Sequence, residues 1–244
     1  MDSGIWATWC NLPVEGRDEY LSWLHGSYIP GMLKRPGYLW AAHYASVGED
    51  RIPRRTTGRK ITTTDIMVPR GDRYILLFGA EHSNIFGDPL PEEIHAALPA
   101  ADRKMLAMRS GERVNIFTEA ARVEGPEAKS YRDGMNLAPC IQMGTFQARW
   151  QDEMEALKWY AQWRMPAMTK LAGCVRARKL ASVAGWAKQS ILYEFLNFDA
   201  RNHFIKEHED GNANREWTDK VIAALTHAPG SANVGERLWP PVAQ

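Results

Sequence analysis

Apolar positions recur at two spacings along this chain. Short runs at 4–12 (GIWATWCNL), 37–47 (GYLWAAHYASV), 74–82 (YILLFGAEH), 140–150 (CIQMGTFQARW), 173–183 (GCVRARKLASV) and 190–198 (SILYEFLNF) alternate or are almost wholly apolar. They predict β-strands, with two further strands near 112–123 and 235–241. Segments 91–106 and 214–227 carry apolar residues three and four apart and predict amphipathic helices. Two more helices are predicted just after the strands at 4–12 and 140–150. At about 100° per residue, Leu21, Leu24, His25, Tyr28 and Met32 fall on one stripe centred near Tyr28, with Trp23 on the far side.

The chain repeats itself. Shifted by 136 residues, segment 19–48 matches 155–184 at 11 of 30 positions without a gap, among them Trp23/Trp159, Pro30/Pro166, Met32/Met168, Lys34/Lys170 and Gly37/Gly173. Each half reads β-α-β-β-α-β, an order that suits a ferredoxin-like unit. One such sheet leaves a face bare, so two copies are expected to cover each other. The predicted fold is α+β, with two tandem ferredoxin-like units packed sheet to sheet as a fused α+β barrel. The boundaries are residues 1–122 for the first repeat, 123–139 for a linker rich in Pro and Gly, and 140–244 for the second repeat. An insertion at 49–73 is rich in Arg, Lys, Thr and Gly. It reads either as a surface loop or as a lid carrying Arg54, Arg55 and Arg59.

The strand followed by Trp-x6-Pro-x6-Gly resembles the dimeric α+β barrel superfamily, including EthD-like proteins and monooxygenases of the antibiotic-biosynthesis type. Trp23, Ile29, Pro30, Pro36 and Gly37 carry the resemblance in the first copy. Trp159, Tyr160, Met165, Pro166 and Gly173 carry it in the second. Relatives often have His just before Ile-Pro; here that place holds Tyr28 in one copy and Arg164 in the other. The resemblance implies a cofactor-free enzyme acting on a small carbonyl- or carboxylate-bearing molecule by acid–base chemistry, of lyase, isomerase or dehydratase type. It leaves two alternatives, a cofactor-free monooxygenase and a haem-binding or non-catalytic small-molecule-binding barrel. For haem, His25, His43, His82 and His203 are the candidate ligands.

Particular residues can be given roles on that reading. His43 and His82 lie on apolar strand faces and are candidate bases, since imidazole titrates near neutral pH. Tyr28 and Arg164 would stabilise developing negative charge, while Trp6, Trp9, His25, Phe78 and Glu194 would line the substrate pocket. Arg164 falls mid-stripe on an apolar face and needs a partner, for which Glu194 is the obvious carboxylate. Arg149, Arg176 and Arg178 read as solvated edge residues.

Bulk properties narrow the partners. The 244 residues are 45% hydrophobic with a net charge of +1, so overall charge makes no case for nucleic acid or an anionic membrane. No apolar run has the length of a membrane span. The start, MDSGIWATWC, has neither the basic region nor the apolar core of a signal peptide. Cys10, Cys140 and Cys174 show no metal-ligand spacing and read as reduced thiols. No nucleotide, flavin, zinc or iron–sulfur motif is present. A cytoplasmic protein without a metal or cofactor is expected. Trp159 and Trp163, placed on the outer side of a helix, suggest a homodimer interface.

Overall fold

The computed structural model describes residues 2–48, 51, 60–131, 137–206 and 214–242. The basic positions Arg54, Arg55 and Arg59 of the expected lid lie outside the described residues. The strands are β1 (Gly4–Asn11), β2 (Tyr38–Ser46), β3 (Ile61–Thr62), β4 (Tyr74–Ala80), β5 (Ser110–Glu124), β6 (Cys140–Ala148), β7 (Cys174–Ala184), β8 (Gln189–Phe195), β9 (Leu225–His227) and β10 (Asn233–Trp239). The helices are α1 (Arg17–Trp23), α2 (Ile29–Met32), α3 (Pro91–Ala97), α4 (Ala100–Leu106), α5 (Trp150–Trp159), α6 (Met165–Met168), α7 (Phe198–Phe204) and α8 (Arg215–Ala223).

Eight strands form one closed antiparallel ring, β2-β4-β1-β5-β7-β8-β6-β10, and β10 returns to β2. This corrects the expected pair of ferredoxin-like units packed sheet to sheet. The two halves join edge to edge through two ladders. Along β5–β7, Phe117 pairs with Ser182 and Val123 with Ala177; along β10–β2, Glu236 pairs with Ala45. Closure satisfies the backbone groups that two separate sheets would leave at their edges. It also covers the bare face that prompted the sheet-to-sheet expectation, because each strand's inner face meets the strands across the lumen.

Side-chain alternation then sorts the core into layers. Ile5, Trp9, Trp40, Ile75, Phe117 and Leu192 fill the lumen. On the outer face, Trp6, Leu76 and Phe78 pack under the first-half helices, and Phe146, Ile191 and Tyr193 under those of the second half. With helices outside and a packed lumen inside, β1, β4, β6 and β8 are buried on both faces. That accounts for their nearly unbroken apolar runs.

The repeat leaves a geometric signature. Between α1 and α2, residues Leu24–Tyr28 form a π-helical turn, and Tyr160–Arg164 form another between α5 and α6. Each turn is followed, one residue on, by Pro30 or Pro166 in the first turn of the next α-segment. Proline lacks the N–H of the usual i→i−4 bond and its ring crowds the carbonyl four residues back. Widening the preceding turn lets the helix continue. Gly37 and Gly173 follow at φ of 81° in both copies, a left-handed conformation that favours glycine.

The long helix predicted over 91–106 is interrupted at Leu98 and Pro99, giving α3 and α4. Trp159 is buried under α8, where its indole N–H donates to Thr218 Oγ1 at 3.2 Å; it is not part of an exposed interface. Trp23 is half-buried and donates to Asp102 Oδ1 of α4 at 2.8 Å. Among the described residues, no helix is long and apolar enough to cross a membrane.

Candidate active site between the first helices and the sheet

The polar groups of the first half converge on Arg109, which follows α4 and directly precedes β5. Its side chain is 1% exposed. Nε donates to Tyr20 Oη at 2.6 Å, and Nη1 lies 3.6 Å from Glu112 Oε2. Among the described residues neither Nη1 nor Nη2 has a hydrogen-bond partner. The guanidinium stands 5.7 Å from the Tyr28 ring centre and 5.9 Å from that of Tyr20. Burial disfavours its charge, but Tyr20, Tyr28 and Glu112 around it hold its pKa above the ordinary arginine value.

Tyr28 reaches this cluster from the π turn. Its hydroxyl shares a 2.7 Å hydrogen bond with His95 Nε2 of α3. Burial, and then the nearby Arg109 charge, lower the His95 pKa to about 4, so the imidazole is neutral at physiological pH. Burial raises the Tyr28 phenol, with Arg109 acting in the opposite sense. Trp6 and Phe78 wall the cluster, with ring centres 5.7 Å from His95 and 6.2 Å from Tyr28 respectively.

A histidine pair adjoins it. His25 Nε2 and His43 Nδ1 are 2.9 Å apart, and His43 stacks on Tyr74 at 5.6 Å. Burial lowers the pKa of both, and His43 also feels His25 and Arg109. Two neutral rings therefore share one hydrogen, one donating and the other accepting.

Several expected site residues lie elsewhere. His82 is exposed beyond the end of β4. Trp9 is three residues from Trp6 and therefore points to the other side of β1, into the lumen, so the two do not wall one pocket. Arg164 and Glu194 do not pair, because they occupy opposite faces of the sheet. Glu194 faces the lumen, 3.6 Å from Arg176, and accepts the Ala138 N–H at 3.0 Å. Arg164 is buried outside the sheet against Trp159, Phe204 and Tyr193, at 4.6, 5.1 and 6.0 Å from their ring centres. Arg178 is fully buried and bonded to Glu119 and Asp2, while Arg149 is exposed.

Tyr20, His95 and Arg109 were not singled out from the sequence. His95 adjoins the buried Ile94 and lies one turn from Leu98, which packs on the same core, so its place near the packing face was readable. Arg109 sits in a polar stretch and carried no such signal.

Among the described residues, the four candidate histidines do not come together as haem ligands. His82 and His203 are exposed, and His25 and His43 face each other. Among the described residues no group of three or more His, Cys, Asp or Glu is placed to hold a metal. A groove of about 540 Å³, lined by residues including Glu124, Pro126, Lys129 and Thr169, lies apart from the cluster.

No protein-family model matches the chain, and no curated protein matches its sequence. Solved structures do match its fold. An anthrone oxidase-like protein superposes with a TM-score of 0.65 at 9% identity, over 97% of this chain and 91% of that one. A candidate monooxygenase from Fusobacterium nucleatum gives 0.58 at 8% identity, over 97% and 93%. A dye-decolorizing peroxidase from Bacteroides thetaiotaomicron gives 0.54 at 8%, also over 97% and 93%. These barrels replace the expected EthD-like resemblance, and none of them supports a lyase. At such identities they establish one thing about this chain, the closed-barrel fold they share.

Proposed function

We propose that this protein oxidises or oxygenates a small, electron-rich aromatic compound of phenol or anthrone type in the Arg109 cluster. The observation that carries the reading is a buried guanidinium with two nitrogens lacking hydrogen-bond partners among the described residues, ringed by Tyr20, Tyr28 and His95. A substrate anion would meet those nitrogens, since a preorganised buried cation stabilises charge that develops beside it. The anthrone oxidase-like and monooxygenase-like neighbours lend this chemistry its direction.

The substrate loses a proton from carbon or oxygen to a neutral imidazole, and Arg109 stabilises the enolate or phenolate left behind. His95 is the first candidate base, because its Nε2 already exchanges a hydrogen bond with Tyr28. The electron-rich anion then reduces dioxygen. For conversion of a ring CH2 to C=O, two C–H bonds and the O–O bond break. One oxygen enters the product and the other leaves as water. The substrate supplies all four electrons, so no separate reductant is required.

Oxygen uptake with a panel of anthrones, quinols and polyphenols tests the reading. Turnover is expected with at least one of them, and Arg109→Met should lower it by about 10²-fold or more. A wild-type protein that consumes no oxygen with any of them, or an Arg109→Met variant that retains full turnover, would sink it.

A further inference from the structure

The two ends of the barrel lumen treat their buried arginines differently. At one end, Arg178 Nε donates to Glu119 at 2.5 Å and Nη1 to Asp2 at 3.0 Å, while Arg122 bonds the same two carboxylates. Arg176 and Glu194 complete that network, so each cation has an anion.

At the other end Arg113 projects inward from β5, 2% exposed, with its guanidinium carbon over the Trp9 indole at 3.9 Å from the ring centre. Among the described residues it has no carboxylate partner. Nη1 donates to Asn115 Oδ1 at 3.4 Å and to the Trp186 carbonyl at 3.2 Å. Among the described residues Nε and Nη2 have no hydrogen-bond partner. Those two nitrogens form the side-on fork with which arginine grips a carboxylate or another oxyanion.

Other orphaned groups share this end. Trp9 Nε1, Thr145 Oγ1 and Ser190 Oγ are buried and lack hydrogen-bond partners among the described residues. Thr145 and Ser190 are register partners on β6 and β8. Ser190 is the register partner of Leu180 on β7, and Asn115 Nδ2 bonds Ser182 of β7 at 3.1 Å, which carries the polar ring round to Arg113. Such groups are costly to bury unless something pairs with them, and a cation most of all.

We infer that this end of the lumen is a binding site for a small oxyanion, held side-on by Arg113 Nε and Nη2 over Trp9, with Ser190 and Thr145 as further hydrogen-bonding groups. Two oxygens side by side are the recognised chemistry, whether on a small carboxylate or an inorganic oxyanion. The apolar plug of Phe117, Leu180 and Leu192 beneath limits the guest to a few atoms. The site is on the opposite face of the sheet from the Arg109 cluster and stands independently of the function proposed there.

Nitrogen-15 NMR of the arginine Nε–H groups tests it on the full chain. Acetate and phosphate are titrated separately at constant ionic strength set by chloride. The Arg113 resonance is identified by its loss in Arg113→Lys, and by its shift in Trp9→Phe should the lysine variant fail to fold. It should move saturably with a Kd on the order of 1 mM or tighter. Saturation by acetate marks a carboxylate site and saturation by phosphate an inorganic one. No saturable shift with either anion, or an equal shift that bypasses the Arg113 resonance, would overturn the inference.

Discussion

The Tyr28 hydroxyl and His95 Nε2 lie 2.7 Å apart, joining the π turn that follows α1 to helix α3. This bond brings a group from a repeated element into contact with one outside the repeated segment. The matching position in the second half is Arg164, enclosed by Trp159, Tyr193 and Phe204. The two copies have thus parted in chemistry while keeping their backbone.

Tyr28→Phe should leave the fold intact and cost about 1 kcal/mol, the ordinary worth of a hydrogen bond. Oxygen uptake should fall much further, by about 10²-fold, if His95 and Tyr28 act on the substrate together. Chemical denaturation and turnover measured on one preparation separate the two effects.

Acid should weaken the fold in two steps. His95 has a folded pKa of about 4, below the 6.5 of a free imidazole. The unfolded chain therefore binds more protons between those values, and stability is lost as pH falls from 6.5 towards 4. His25 and His43 act in the same direction. Asp2 is held at about 2 by Arg178 and Arg122 against the cost of burial, so its share is lost between about 4 and 2. Thermal melts from pH 8 to 3 check this, and His95→Gln should flatten the upper step.

Asp2→Asn should destabilise the protein by about 3 kcal/mol. It leaves the fully buried Arg178 with one bonded carboxylate, Glu119, in place of two and takes a carboxylate from Arg122 as well. It also weakens the acceptor of the Trp40 indole, now 2.9 Å away. A urea midpoint measured beside wild type reads the change.

Gly79→Ala should cost about 1–3 kcal/mol, the usual penalty of overpacking. A methyl there would land on the Trp40 indole, a large ring locked in the lumen. Gly31→Ala, where a methyl meets nothing within 4 Å, is the control and should be close to neutral.

Much of the strand and helix order was legible, because alternation and the 136-residue repeat are written in side chains. Closure was not. The β5–β7 and β10–β2 ladders are made of backbone groups, and the same alternation serves a closed ring or two facing sheets. Trp6 and Trp9 show the related ambiguity: when both faces of a strand are buried, both carry large apolar residues and neither face is marked. The site was half legible. Tyr28, His25 and His43 lie on predicted apolar faces, whereas Arg109 is brought to them by the return of the chain from α4 into β5. Arg164 and Glu194 were paired on charge alone, and the sheet stands between them.

Closure of the ring has a mechanical consequence. A hoop of eight hydrogen-bonded strands has no free rim from which to fray, so small openings must start in the layer wrapped around it. In the first half that outer wrapping carries His25, Tyr28 and His95. The barrel acts as a stiff anvil holding His43 still, while the shell above it is the part free to yield.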